Sequence, residues 1–162
     1  MNSASMLALS AILSGGLSAA ILDISYAITR SVLQGGTAER LLQSVASGLQ
    51  GADAFAGGWS SALLGLAAHC TILVVAASLY WMVSARHAWS WRRPWMAGPI
   101  FGLAIWAVMN WLVVPWSAAP FTLTYTTESL LLGLLVHMVL VGLPIALATR
   151  WGRQRWHVAT AW

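Results

Sequence analysis

Four side chains in this sequence carry groups that could do chemistry in an otherwise apolar chain: Asp23, His69, Asn110 and His137. Each lies in or at the edge of a run of about 20 mostly apolar residues, the length that crosses a hydrocarbon core of about 30 Å. A charged side chain at the centre of such a helix costs about 2.5–3.5 kcal/mol on insertion scales, so these groups are expected to face protein or water. Three readings follow. Polar groups can hydrogen-bond across helices and act as glue, at about 0.6 kcal/mol each. A carboxylate in the outer half of the membrane, with two imidazoles near its middle, can instead bind or relay a proton, an ion or a small solute, because ionisable groups inside spans often mark such paths. Third, His69 and His137 at matched depth on parallel helices could ligate a haem iron or a metal from opposite sides. Cys70 and Met138 are soft ligands by type, but each is one residue past its His and points about 100° away. No catalytic residue is assigned. The chain has no HExxH, P-loop, CxxC, paired carboxylates or nucleophile elbow, and no cofactor is expected by default.

Composition sets the elements that must position these groups. Of 162 residues, 59% are hydrophobic and only 7% charged, far below the roughly 25% charge of a soluble domain. The mean hydropathy is +0.75, and the solvent for this much apolar surface is lipid. The net charge of +4 comes from eight basic residues, all arginine. They occupy short connections and a tail without interleaved exposed aromatics, which argues for topology rather than nucleic-acid binding. Four spans are expected, at about 7–28, 59–83, 95–114 and 128–149. No Lys or Arg precedes Leu7, so the first is read as a retained span and not a signal peptide. Arg86, Arg92, Arg93, Arg150, Arg153 and Arg155 fall on one side; Arg30 and Arg40 fall on the other. That imbalance predicts both termini in the cytoplasm. Trp59 and Trp116 are expected at the outer ends. Trp81, Trp89, Trp91, Trp95, Trp151 and Trp156 are expected at the inner ends, as aromatic belts. Trp106 breaks the pattern in mid-span.

Small residues mark the packing faces. Gly15, Ala19, Asp23 and Ala27 recur every four positions, and Gly16 adds an adjoining small row, so Asp23 is expected on a face where another helix approaches closely. Gly65 precedes His69 by one turn, and Gly133 precedes His137 in the same way. The phrases "LLGLAAH" (Leu63–His69) and "LLGLLVH" (Leu131–His137) match at five of seven positions, which suggests two helical hairpins in tandem. Between the first two spans, Thr37 can cap a helix with Glu39 in its first turn. Leu41, Leu42, Val45 and Leu49 then share one face. A short amphipathic helix over about 37–50 is expected at the outer surface or in the bundle mouth.

Several stretches together resemble a family of small bacterial inner-membrane proteins with four expected helices: "LDISYA" at 22–27, "LQSVASGLQGADAFAGG" at 42–58, "ALLGLAAH" at 62–69, "VMNWLVVPWSAAP" at 108–120 and "GLPIALA" at 142–148. The resemblance implies a bacterial plasma membrane and supplies no activity or ligand. The arginine- and tryptophan-bearing tail after Thr149 departs from it. The expected fold is an all-α, four-span membrane bundle whose partner is the lipid bilayer, with room for a homo-oligomer or a membrane partner. The leading functional expectation is a proton, ion or solute site at Asp23, His69, Asn110 and His137. The rival is a structural or partner-binding subunit that docks through its outer helix and basic tail, and a bis-His haem or metal protein comes third.

Overall fold

Long apolar runs become long helices, and the connections between them are short. The computed structural model describes residues 3–159, apart from the side chains at 157 and 159. Helix α1 covers Ser3–Leu33. Helix α2 covers Ala38–Gln50, capped by the Thr37 hydroxyl, which accepts from the Arg40 amide. A 3-10 segment, Gly51–Ala56, leads into α3, Gly58–Arg86. A single turn, α4 (Ala88–Arg92), precedes α5, Pro94–Val108, which Pro94 opens at a position where its missing amide proton costs nothing. Helix α5 runs on as a π turn over Met109–Val113. After a loop, α6 (Thr127–Val136), a π turn (His137–Gly142) and α7 (Leu143–Ala159) form the fourth rod. Four helical stretches are long and apolar enough to cross a membrane. The described residues thus form the all-α bundle expected, with no strand among them.

The rods approach one another at small residues. A Cβ on Gly15 would lie 3.0 Å from the Ala148 Cβ, and one on Gly16 would lie 2.7 Å from the Val74 Cα. Helix α1 therefore sits between α3 and α7, with Ala19 and Ala20 wholly buried. Helix α5 meets the fourth rod backbone to backbone: Gly98 faces Gly142, and Gly102 faces the His137 carbonyl. Such contacts suit apolar surroundings, where association depends on close packing rather than on exclusion of water. Gly65 and Gly133, matched in sequence, meet different neighbours. Gly65 admits the Leu42 carbonyl of α2, whereas Gly133 admits the Trp106 indole. Helix α2 thus packs into the mouth of the bundle, where Leu42, Gln43, Ala46 and Ser47 are buried.

Two expectations change at the arginine-rich end. The fourth span was expected to stop near Thr149, but its helix continues to Ala159. The reason is Arg153, which is only 7% exposed. Its Nε donates to Ser84 Oγ at 2.9 Å, its Nη2 donates to the Trp81 carbonyl at 2.6 Å, and its guanidinium lies 4.0 Å from the Trp81 ring centre. Gly152 makes room for this seat against Ala11 and Trp81. Trp81 is consequently buried against Arg153 and does not serve a lipid-facing belt, while Trp59, Trp95 and Trp116 remain exposed as a belt requires. Within the tail read as a docking surface, Gly152 and Arg153 are buried, whereas Trp151, Gln154, Arg155 and Val158 stay exposed; residues 160–162 lie outside the described residues. Arg153→Lys keeps the charge and loses the planar fork. It is expected to destabilise the protein by about 1–3 kcal/mol, as loss of partners for buried groups does. Thermal unfolding of the detergent-purified variant would check this, and an unchanged midpoint would remove the structural role.

Candidate functional site

The four polar residues come from four different elements and line one cavity of about 750 Å³. Its origin is the uneven spacing of α3 and α5. Near the arginine-rich end the two helices touch, Tyr80 against Phe101 with ring centres 4.8 Å apart. Toward the α2 end they part, and the cavity fills the gap between Ala67, Ala68 and Thr71 on one side and Ile105, Met109 and Val113 on the other. Helix α2 and the loop at 114–126 roof it. That roof is tied together where the Ala118 amide donates to the Gly48 carbonyl at 3.0 Å. Leu49, Leu64 and Val113 stay exposed beside the opening.

Asp23 and His69 form the polar floor. Their nearest atoms, Asp23 Oδ2 and His69 Nε2, are 3.7 Å apart, with the side chains 16% and 11% exposed. That distance exceeds a hydrogen bond. The same Nε2 lies 3.2 Å from the Ala20 carbonyl oxygen. A carbonyl only accepts, so Nε2 carries a proton and Nδ1 keeps the lone pair in the neutral ring. Among the described residues, the Asp23 carboxylate has no hydrogen-bond donor within reach; His69 is its one charged or chargeable neighbour. Asp23 and His69 thus approach each other as two side chains and do not close a hydrogen bond.

His137 and Asn110 occupy the facing wall, and each lies in a π turn. Such turns leave a backbone wider than an α-helix and often occur at functional sites. His137 Nδ1 donates to the Gly133 carbonyl at 2.9 Å, which leaves Nε2 as the lone-pair nitrogen. Asn110 Nδ2 donates to the Trp106 carbonyl at 2.7 Å, and Asn110 Oδ1 accepts from the Tyr125 hydroxyl. Desolvation pushes the Tyr125 phenol above its ordinary pKa, so it remains a donor at neutral pH. Asn110 therefore anchors the roof loop to α5. Trp106, the mid-span exception, is the packing partner of this anchor. It is 7% exposed, with ring centres 5.8 Å from Trp111 and 5.9 Å from Tyr125.

Sequence reasoning missed Tyr125 and the roof residues Ser44, Gly48 and Ser117, and it noted Trp106 without giving it a role. Tyr125 lies in a connection with no span pattern, and only a tyrosine 15 positions from Asn110 hinted at a pair. Glu128, at the start of α6, pairs with Arg30 at 3.3 Å, away from the cavity. For a metal held from two sides, His69 would offer Nδ1 and His137 would offer Nε2. Among the described residues no three His, Cys, Asp or Glu side chains converge to ligate an ion. Compared with known protein families, characterised proteins and solved structures, the chain matches none.

Removing the Tyr125 hydroxyl separates anchor from wall. Tyr125→Phe should cost about 1 kcal/mol, the usual net value of one hydrogen bond. It should also speed amide exchange in residues 117–126 while leaving α3 protected. Hydrogen-exchange mass spectrometry would report this, and unchanged exchange in the loop would mean the Asn110–Tyr125 bond holds nothing.

Proposed function

We propose that this chain is a multi-pass membrane protein whose polar centre binds or relays a proton, an ion or a small solute. The observation that carries the reading is Asp23. Its carboxylate opens onto a cavity, has no donor within hydrogen-bond reach among the described residues, and faces His69 at 3.7 Å. The carboxylate is partly open to the cavity and not sealed away from it, so a proton, water or a cation in that space is what it would meet. Simple interhelical glue fits the four residues less well. His69 bonds a carbonyl on another helix, but His137 and the Asn110 amide bond their own helices. The resemblance and the arginine distribution support placement in a bacterial plasma membrane with both termini in the cytoplasm.

The test is flux in proteoliposomes loaded with a pH indicator and offered monovalent cations in turn. Asp23→Asn is expected to lower the responsive flux severalfold, and His137→Ala to lower it as well, with helix content by circular dichroism unchanged. If folded variants carry every flux as the parent does, the polar centre is not a transport site.

A further inference from the structure

The lining of the cavity has a one-sided hydrogen-bonding character. Its hydroxyl donors are spent inside the protein: Ser44 Oγ donates to the Leu41 carbonyl at 2.6 Å, Thr71 Oγ1 to Ala67 at 2.8 Å, and Ser117 Oγ to Val114 at 2.7 Å. One Asn110 N–H is spent on Trp106, and both histidines spend their neutral-ring N–H on carbonyls. Among the lining side chains the groups left unspent are mostly acceptors, namely the two Asp23 oxygens, one lone-pair nitrogen on each imidazole and the hydroxyl lone pairs, with the second Asn110 N–H as a donor. Asp23 is also the one formally charged side chain on the lining. Around these acceptors the walls are apolar, from Leu64, Ile72, Leu73, Ile105, Met109 and Val113. A bare ion would leave those walls unused. An anion would face a carboxylate with hardly any free donor.

From this complementarity we infer that the cavity is a binding site for a hydrophobic ammonium ion, a primary or secondary amine carrying an apolar body. The N–H donors go to Asp23 and the imidazole lone pairs, and the apolar body fills the space between α3 and α5. A volume of about 750 Å³ matches cavities that enclose drug-sized ligands. Leu64 on α3 and Val113 at the end of the π turn after α5 stay exposed beside the opening, and both belong to apolar spans, so an amine partitioned into the bilayer would have an apolar approach to the site. The inference rests on the reading of the polar centre as a binding site and names its ligand class.

The experiment uses the full chain in nanodiscs of zwitterionic lipid. Dodecylammonium is the probe, with dodecanol and dodecanoate as chain-matched controls. Two readouts are followed: the thermal unfolding midpoint, and covalent labelling of Asp23 by dicyclohexylcarbodiimide, located by peptide mass spectrometry. Dodecylammonium is expected to raise the midpoint by several degrees and to slow Asp23 labelling severalfold, while the controls do neither. Asp23→Asn should abolish the shift. Ala67→Trp adds bulk to an exposed wall residue without touching the carboxylate, so it should weaken binding strongly even if the Asp23 variant fails to fold. Equal effects from dodecanol, or a shift that survives Ala67→Trp, would overturn the ammonium assignment. If Asp23-dependent proton or cation flux persists while dodecylammonium neither stabilises nor protects, the ligand class is wrong and the polar centre stands. If neither flux nor binding depends on Asp23, both fall.

Discussion

Backbone contact at glycine is the constraint on which the bundle depends. Helices surrounded by hydrocarbon gain little from burying apolar side chains against one another, so affinity between them comes from close approach and good packing. In this protein the approach is made at Gly15 and Gly16 on α1, at Gly98 and Gly102 on α5, and at Gly142 and Gly152 on the fourth rod. Each leaves so little space that a methyl group would meet a neighbouring backbone or a packed side chain. These contacts join α1 to α3 and α7, and α5 to the fourth rod. Between α3 and α5, by contrast, the contact seen is aromatic, and it lies at one end.

The cavity follows from that distribution. Where glycine brings backbones together, the interior is filled by Ala19, Ala20, Val141 and Ile145. Where α3 and α5 part, space remains, and the polar residues occupy its edge. A filled bundle would have forced Asp23 either to find a donor on another helix or to face lipid. The parted bundle offers a third arrangement, in which the carboxylate keeps its charge-bearing oxygens toward a space that can hold water or a ligand. The roof of α2 and the 114–126 loop encloses the same space, which explains why α2 packs inward on Gly65 and does not lie free on the surface.

Much of this was legible in the residues. Continuous apolar runs placed the four long helices, although the fourth runs on well past Thr149 to Ala159, and Thr37 with Glu39 placed α2 closely. The four-residue spacing of Gly15 and Ala19 marked a face that packs closely, and Asp23, next in the same row, opens onto the cavity. What could not be read were the features set by partners distant in sequence. Arg153 looked like a topological charge because nothing local announces that Ser84 and Trp81 wait on another helix. Asn110 looked like a lone polar group because its partner, Tyr125, sits across an irregular loop. The two π turns leave no clear local signature either.

The π turn at His137–Gly142 has a mechanical meaning beyond the shape it gives the wall. An α-helix turns by about 100° per residue, and a π turn accommodates one extra residue. Everything after Gly142 is therefore indexed about one residue out of step with the helix before it. Arg153 meets Trp81 from within that shifted register. The angle at which the imidazole of His137 enters the cavity and the angle at which the distal guanidinium seats are set by a single gear tooth, so the two ends of the fourth rod are phased to each other.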